Sequence, residues 1–240
     1  MPVKNKFVIK SFKAFLDGIA EINADSVKND STLILYRGQE NSTWNLLPKI
    51  GRRGISTDFL SFEKSIISEF KRLGRTYLAA DILNNEWDLL ALAQHHGLPT
   101  RLLDWSTNPL VALWFAFAKE CDVKERAVWA LVLKDDDIAN IAKDLPYNPK
   151  LTSAFKPNHI TKRITAQHGW FTTHKFVLGK EKFIALNNNP TYNSRISKLQ
   201  FSNDLRNEIL NGLDIFGINS FSLFPDLDGL SKYIEWKALK

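Results

Sequence analysis

The stretch Gln94-His95-His96-Gly97-Leu98-Pro99-Thr100-Arg101-Leu102-Leu103-Asp104-Trp105-Ser106-Thr107-Asn108-Pro109-Leu110-Val111-Ala112-Leu113-Trp114-Phe115-Ala116 sets a helix end, a strand and a helix start in close succession. Just upstream, Trp87 to His96 is apolar on nearly every face, which predicts an interior helix stopping at Gly97, a natural C′ residue. Pro99 then forces an extended path. Thr100 to Trp105 reads as a short strand, with Arg101, Leu103 and Trp105 on one face and Leu102 and Asp104 on the other. Ser106, Thr107 and Asn108 are good caps and Pro109 suits a first helical turn, so a second interior helix is expected over Leu110 to Phe117. Buried helices flanking a strand predict an α/β (α+β) chain with a mixed central sheet.

Working outward, Thr32 to Tyr36 predicts a buried strand delivering Arg37 and Gly38 at its end, and Val128 to Leu133 predicts another. Ser11 to Ile22 carries apolar residues at helical spacing. From Asp58 to Tyr77, the residues Phe59, Phe62, Ile66, Phe70, Leu73 and Tyr77 describe one face of a long helix, and Glu63 lies on that face. A carboxylate among core positions needs a cationic or hydrogen-bonding partner, because burying it alone is costly. Arg37 is the expected partner. The polar stretch from Asp135 to Thr161 reads as a connecting excursion with a helix near Ile138 to Lys143. Arg163 to Val177 reads as a hairpin or bulged strand around Gly169, and Asn203 to Leu213 as a helix. Ser220 to Phe224 reads as a last strand, followed by a turn at Pro225 to Gly229 and a terminal helix. Residues 1–30 form an N-terminal helix and lead-in on this reading, and 31–240 a single domain.

The chain has 240 residues, 44% of them hydrophobic and 24% charged, enough to bury a core without covalent staples. Its single cysteine, Cys121, excludes an internal disulfide and a Cys-rich zinc site. Met1 to Lys6 is polar, and no stretch approaches the roughly 20 apolar residues of a membrane span. A cytoplasmic protein without a membrane partner is therefore expected. The net charge of +6 favours an anionic small molecule or nucleotide, with nucleic acid as a second class of partner through Arg52, Arg53, Arg72 and Arg75.

Several side chains point to chemistry. Arg37 before Gly38 suits bidentate recognition of phosphate or carboxylate. His95 and His96 end a helix whose dipole favours protonated imidazole. Adjacent helical residues point about 100° apart, so the two do not readily chelate one ion, and no metal is expected there. They read either as hydrogen-bonded buried histidines or as acid/base or ligand contacts. Arg101 and Asp104 face opposite ways, so each needs a partner from elsewhere. Trp105 is either core or a stacking surface, and Ser106 and Thr107 either cap a helix or present its N–H groups to an anion. Asp226 and Asp228 read as a turn, with a metal-binding Asp-x-Asp as the other reading.

Tyr36-Arg37-Gly38-Gln39, the Gln94 to Trp105 block and the Asn108 to Ala116 block together resemble the FRG domain family. Two later blocks extend the resemblance, Arg163-Ile164-x-x-Gln167-x-Gly169-x-Phe171 and Leu223 to Gly229. The order strand-Arg-Gly, then strand-Ser-Thr, then helix is also similar to ADP-ribosyltransferases. That likeness implies an ADP-ribosyltransferase-like fold with NAD as substrate, Arg37 contacting it and Trp105-Ser106-Thr107 supporting the pocket. The third block would be Arg163 to Gly169, where the glutamate of that pattern is absent and Arg163 or Gln167 stands near its place. Glu63, Asp104 and Asp226 are the carboxylates left to substitute for it.

The expected function is a nucleotide- or NAD-using transferase or glycohydrolase, of the kind found in toxins and phage-defence effectors. Its catalytic residues are expected among Glu63, His95, His96 and Asp104. Its ligand-binding residues are expected to be Tyr36, Arg37, Gly38, Gln39, Arg101, Trp105, Ser106, Thr107, Arg163 and Gln167. No cofactor is implied beyond NAD as a substrate. The alternatives are a non-catalytic nucleotide or nucleic-acid module, and a metal-dependent phosphohydrolase at Asp226 and Asp228.

Overall fold

The computed structural model describes residues 4–28, 31–52, 59–147, 152–158, 161–177 and 182–239. A seven-stranded mixed sheet runs in the order β1 (Asn5–Ile9), β9 (Ile196–Ser202), β4 (Glu125–Leu133), β2 (Leu33–Gln39), β3 (Leu102–Ser106), β6 (Gly169–Thr173), β5 (Ser153–Phe155). Only β1 and β9 run parallel; every other pairing in this sheet is antiparallel. β7 (Phe176–Val177) and β8 (Lys182–Phe183) form a separate hairpin. The N-terminal lead-in thus contributes a strand as well as a helix. Among the described residues no helix is long and apolar enough to cross a membrane.

The sheet has a seam. β2 pairs with β4 along its whole length, from Leu33↔Leu133 to Gln39↔Ala127, and β3 pairs with β6 from Leu102↔Thr173 to Ser106↔Gly169. Between β2 and β3, by contrast, the register holds one pair, Tyr36↔Ser106. The two strands part beyond it, and the edges of Arg37 and Asp104 are left facing a gap. Arg37 and Gly38 therefore lie inside β2 rather than after its end, because β4 carries the strand past the point where β3 leaves it.

Helices cover the two halves separately. α1 (Phe12–Lys28), α5 (Pro109–Phe117) and α7 (Arg206–Ile215) pack Phe15, Ile19, Leu113, Phe117, Ile209 and Leu213 against Tyr36, Val128, Ala130 and Leu199. Across the seam, α4 (Glu86–His95) and α2 (Phe59–Leu73) bury Trp87, Leu90, Ile67 and Glu63, with Leu102, Phe155 and Phe171 in the same cluster as the apolar members. Between α2 and α4 runs the short helix α3 (Ala80–Asn84). α4 starts on the Asn85 side chain, which accepts from Trp87 N and Asp88 N. It stops in a Schellman turn: Leu98 N donates to Ala93 O, Gly97 N donates to Gln94 O, and Gly97 takes a φ of +85°. α5 starts on Asn108, whose Oδ1 accepts from Leu110 N, with Pro109 in its first turn.

Several expectations need correction. The buried face of α2 is Phe59, Glu63 and Ile67, a row of i, i+4 steps, while Phe62, Leu73 and Tyr77 are exposed; α2 ends at Leu73 and gives way to a 3₁₀ turn. Arg163 lies not in a strand but in the short helix α6 (Lys162–Ala166), because the Thr161 side chain caps it by accepting from Ile164 N. Ser220–Leu223 is a helix, α8, not a strand. There Asn219 and Ser222 form a reciprocal capping box that favours helical turns over extension. The excursion after β4 makes a 3₁₀ turn at Asp135–Asp137 and the edge strand β5, with no helix over Ile138 to Lys143. Asp58 and Arg53 lie outside the described residues.

Gly38 fixes how closely α5 approaches the seam. A Cβ there would stand 2.0 Å from the Ala112 carbonyl oxygen and 2.6 Å from Ala116 N. Both are helix backbone atoms and cannot rotate away. Gly38→Ala is expected to destabilise the fold by about 3 kcal/mol, the upper part of the range for overpacking, measured as a lower urea midpoint.

Candidate functional site

A cleft of about 370 Å³ opens over the seam, between the C-terminal end of α4 and α5. Tyr36, Arg37, Gly38 and Gln39 of β2, with Asp104, Trp105 and Ser106 of β3, line it. Gln94 and His95 come from α4, Arg163 and Gln167 from α6 and the turn after it, and Phe115 from α5. Glu40, Trp44, Arg52, Ala112 and Phe224 complete the wall. The segments predicted to converge do so, with four exceptions. Glu63, His96, Arg101 and Thr107 are not in the lining.

Arg37 bridges the parted strands. Its Nη1 donates to the Asp104 carbonyl oxygen at 2.6 Å and approaches Asp104 Oδ2 at 3.4 Å. Its buried Nε has no partner among the described residues. Gln94 Nε2 donates to the same Asp104 Oδ2 at 3.0 Å, and Thr100 Oγ1 in turn donates to Gln94 Oε1 at 2.7 Å. Asp104 is thus oriented through one oxygen, while its side chain stays 55% exposed. Arg52 is anchored by Nε donating to Leu47 O at 3.0 Å. Burial first, and then the nearby Arg37 charge, hold its guanidinium below the ordinary arginine range, with Asp104 acting the other way. Arg37, Arg52 and Arg163 thus share the cleft with the carboxylates of Asp104 and Glu40.

His95 differs from the dipole-based expectation. Burial, then the neighbouring His96, then Arg163 lower its pKa, and Asp104 only partly offsets them. Desolvation and like charge thus favour the neutral imidazole. Arg163 reaches the cleft on a latch: its Nε and Nη2 donate to Asp226 Oδ2 at 3.0 and 2.6 Å, and its guanidinium lies 5.2 Å from the centre of the Phe224 ring. Asp226 also caps α9 (Leu227–Ala238), where Oδ1 accepts from Gly229 N. Both Asp226 oxygens are engaged, as the turn reading expected. Gln167 Nε2 donates to Leu223 O at 3.2 Å, and Ser106 Oγ donates to Gln167 O at 2.7 Å. Ser106 also accepts from Asn108 N, which makes it a cap at the cleft edge.

The expected Arg37–Glu63 pair does not form. Glu63 pairs instead with Arg101, both of whose side chains are at most 2% exposed. Arg101 Nε donates to Glu63 Oε1 at 2.8 Å, and Nη2 donates to Oε2. The reason is topological: Arg101 enters β3 facing α2, whereas Arg37 sits at the seam facing Asp104. Glu63 was correctly read as needing an arginine, but it belongs to the interior and not to the cleft. Among the exposed arginines, Arg72 is held by Glu69 on its own helix.

A polar chain extends inward from this pair. His174 N donates to Arg101 O at 3.2 Å, and Arg101 Nη1 reaches His174 O at 3.4 Å. His174 Nε2 lies 3.0 Å from Thr172 Oγ1, which accepts from Trp105 Nε1 at 2.9 Å. Burial, then the charges of Arg37 and Arg101, hold the His174 pKa down to about 3. Sequence reasoning passed over His174, Gln94, Trp44 and Phe224 as site residues. Gln94 and Phe224 lie in the motif blocks, but nothing in spacing or composition marks His174. A larger hollow of about 590 Å³ lies between α5, α7, α8 and α9. Its Arg206 is taken up by the carbonyls of Phe117 and Ala118, and its Lys119 faces Glu40.

Residues 32–125 match the family model of the FRG domain, and the chain carries that domain. The matched span includes β2, α2, α4, β3 and α5 and ends before the Arg163 and Leu223 blocks. No curated protein matches the chain, and no solved structure does.

Two outcomes follow from the interior. Glu63→Gln, which strands the Arg101 charge, is expected to cost about 3–5 kcal/mol in urea unfolding, and the double change Glu63→Leu with Arg101→Met is expected to recover part of that loss. His174 sets a pH dependence. Its folded pKa lies below the unfolded value of about 6.5, so on acidification the unfolded chain takes up a proton that the native state refuses. Its contribution is fully present above pH 6.5 and falls as the pH drops toward 3. Between pH 7 and 5 the loss is about 2 kcal/mol, and His174→Gln removes that part of the slope.

Proposed function

We propose that the cleft over the β2–β3 seam binds a ribonucleotide and that the protein acts on NAD as a glycosyltransferase or glycohydrolase. The observation that carries this reading is that three guanidiniums, Arg37, Arg52 and Arg163, line one cleft beside Asp104. A phosphate among them would offset their like charge, the recognition that guanidiniums perform on oxyanions. Trp44, 47% exposed, and Phe115 offer flat apolar surface for a ring.

Of the three carboxylates able to stand in for the missing glutamate, Glu63 is buried against Arg101 and Asp226 is held by Arg163 and Gly229 N. Asp104 alone of the three lines the cleft. When the bond between ribose C1′ and the nicotinamide nitrogen breaks, nicotinamide leaves as a neutral base and positive charge develops on the sugar. Asp104 faces that charge, the role a fixed carboxylate performs best. The oxygen of water, or of an acceptor hydroxyl, then bonds to C1′ and gives its proton to the neutral imidazole of His95. An enzyme of this kind depletes NAD or attaches its ADP-ribose to an acceptor, which fits a cytoplasmic toxin or defence effector.

A second reading, nucleotide capture without chemistry, draws on the cleft volume of about 370 Å³, near the lower end for ligand cavities. The two separate in one experiment. With NAD, the wild-type protein is expected to release nicotinamide and to gain thermal stability. Asp104→Asn is expected to lower release at least 100-fold while keeping the thermal shift, and Arg37→Ala to lose the shift. A shift without release from wild type selects the capture reading. Neither release nor a shift with NAD, ADP-ribose or AMP overturns both.

A further inference from the structure

We infer that Thr172 and His174 are positioning residues for the cleft, holding the Trp105 indole in place from the neighbouring strand. The inference rests on the binding reading above for its effect on ligand, but its structural half stands apart from it. Trp105 is both a cleft residue and an almost fully buried one, packed in the core with Leu35, Leu103 and Trp129. Its Nε1 can only donate, and it donates to Thr172 Oγ1 at 2.9 Å. The same hydroxyl lies 3.0 Å from His174 Nε2, so one oxygen joins the indole to the imidazole.

Behind His174 the backbone is clamped as well. His174 exchanges main-chain and side-chain bonds with Arg101, whose guanidinium is locked on Glu63. The indole is thus tied, through two side chains and a backbone, to the most deeply buried ion pair in the described fold. The adjacent residue, Asp104, carries both the carbonyl and the carboxylate that Arg37 contacts. Holding Trp105 holds that residue too.

The decisive variant is Thr172→Val, which removes the hydroxyl at nearly constant shape from a buried position in β6. Thr172→Ser is the conservative control. The first readout is the Trp105 indole N–H resonance, assigned by its loss in Trp105→Phe. The second is NAD affinity by calorimetry. Thr172→Val is expected to move the indole resonance to the position of an unbonded N–H and weaken NAD binding at least fivefold, and Thr172→Ser to restore both. An indole resonance unmoved in Thr172→Val overturns the inference. So does a moved resonance with wild-type NAD affinity, since the indole is then anchored without consequence for the cleft. If wild type binds no NAD, the binding reading fails, and the inference fails as a statement about ligand while the resonance still decides the anchor.

Discussion

Everything distinctive about this fold depends on the place where β2 and β3 share one register pair and then separate. A sheet normally closes its backbone groups strand by strand, and leaving them open costs free energy unless something else satisfies them. Here the Arg37 side chain takes the Asp104 carbonyl, and Gly38 lets the α5 backbone press close on the other flank. The sheet therefore remains one sheet while carrying a gap lined from both strands, three helices and the segments of Trp44, Arg52 and Phe224. The gap is a consequence of strand lengths and of one missing Cβ.

The buried Glu63–Arg101 pair supports that arrangement from the far side of α2. An ion pair in the interior adds little net stability over apolar residues of the same volume, and its loss on one side is costly. Its weight is positional. It fixes the start of β3 against α2, and β3 supplies Asp104, Trp105 and Ser106 to the cleft. Carboxylates of similar chemistry thus have opposite fates. Glu63 is enclosed and fully matched, while Asp104 is oriented through one oxygen and left accessible.

The strands and helices from Trp87 to Phe117 were legible because their signals are local: a C′ glycine, a proline, an Asn-Pro cap and uniformly apolar turns. The need of Glu63 for an arginine was legible too, since a carboxylate in an apolar row makes the same demand in any fold. The identity of that arginine was not, because Arg37 and Arg101 both flank strands, and only the parting of β2 from β3 decides which one faces α2. Ser220 to Leu223 misled for a related reason. Its residues suit a strand, and the capping box of Asn219 and Ser222 overrides them. His174 left no trace in the sequence, as its importance comes wholly from neighbours that are distant along the chain.

The Arg163–Asp226 latch has a consequence for how the protein is made. The cleft draws its first wall from Tyr36 and its last from Phe224, so the order of synthesis separates them by most of the chain. A nascent polypeptide can form β2, α4, β3 and α5 while Arg163 still has no Asp226 to hold it, and domains generally acquire structure from the N-terminus during translation. The seam then precedes the pocket. On a nascent chain the wall made by Arg163 and Phe224 is held only after Asp226 has emerged, well after the two strands of the seam.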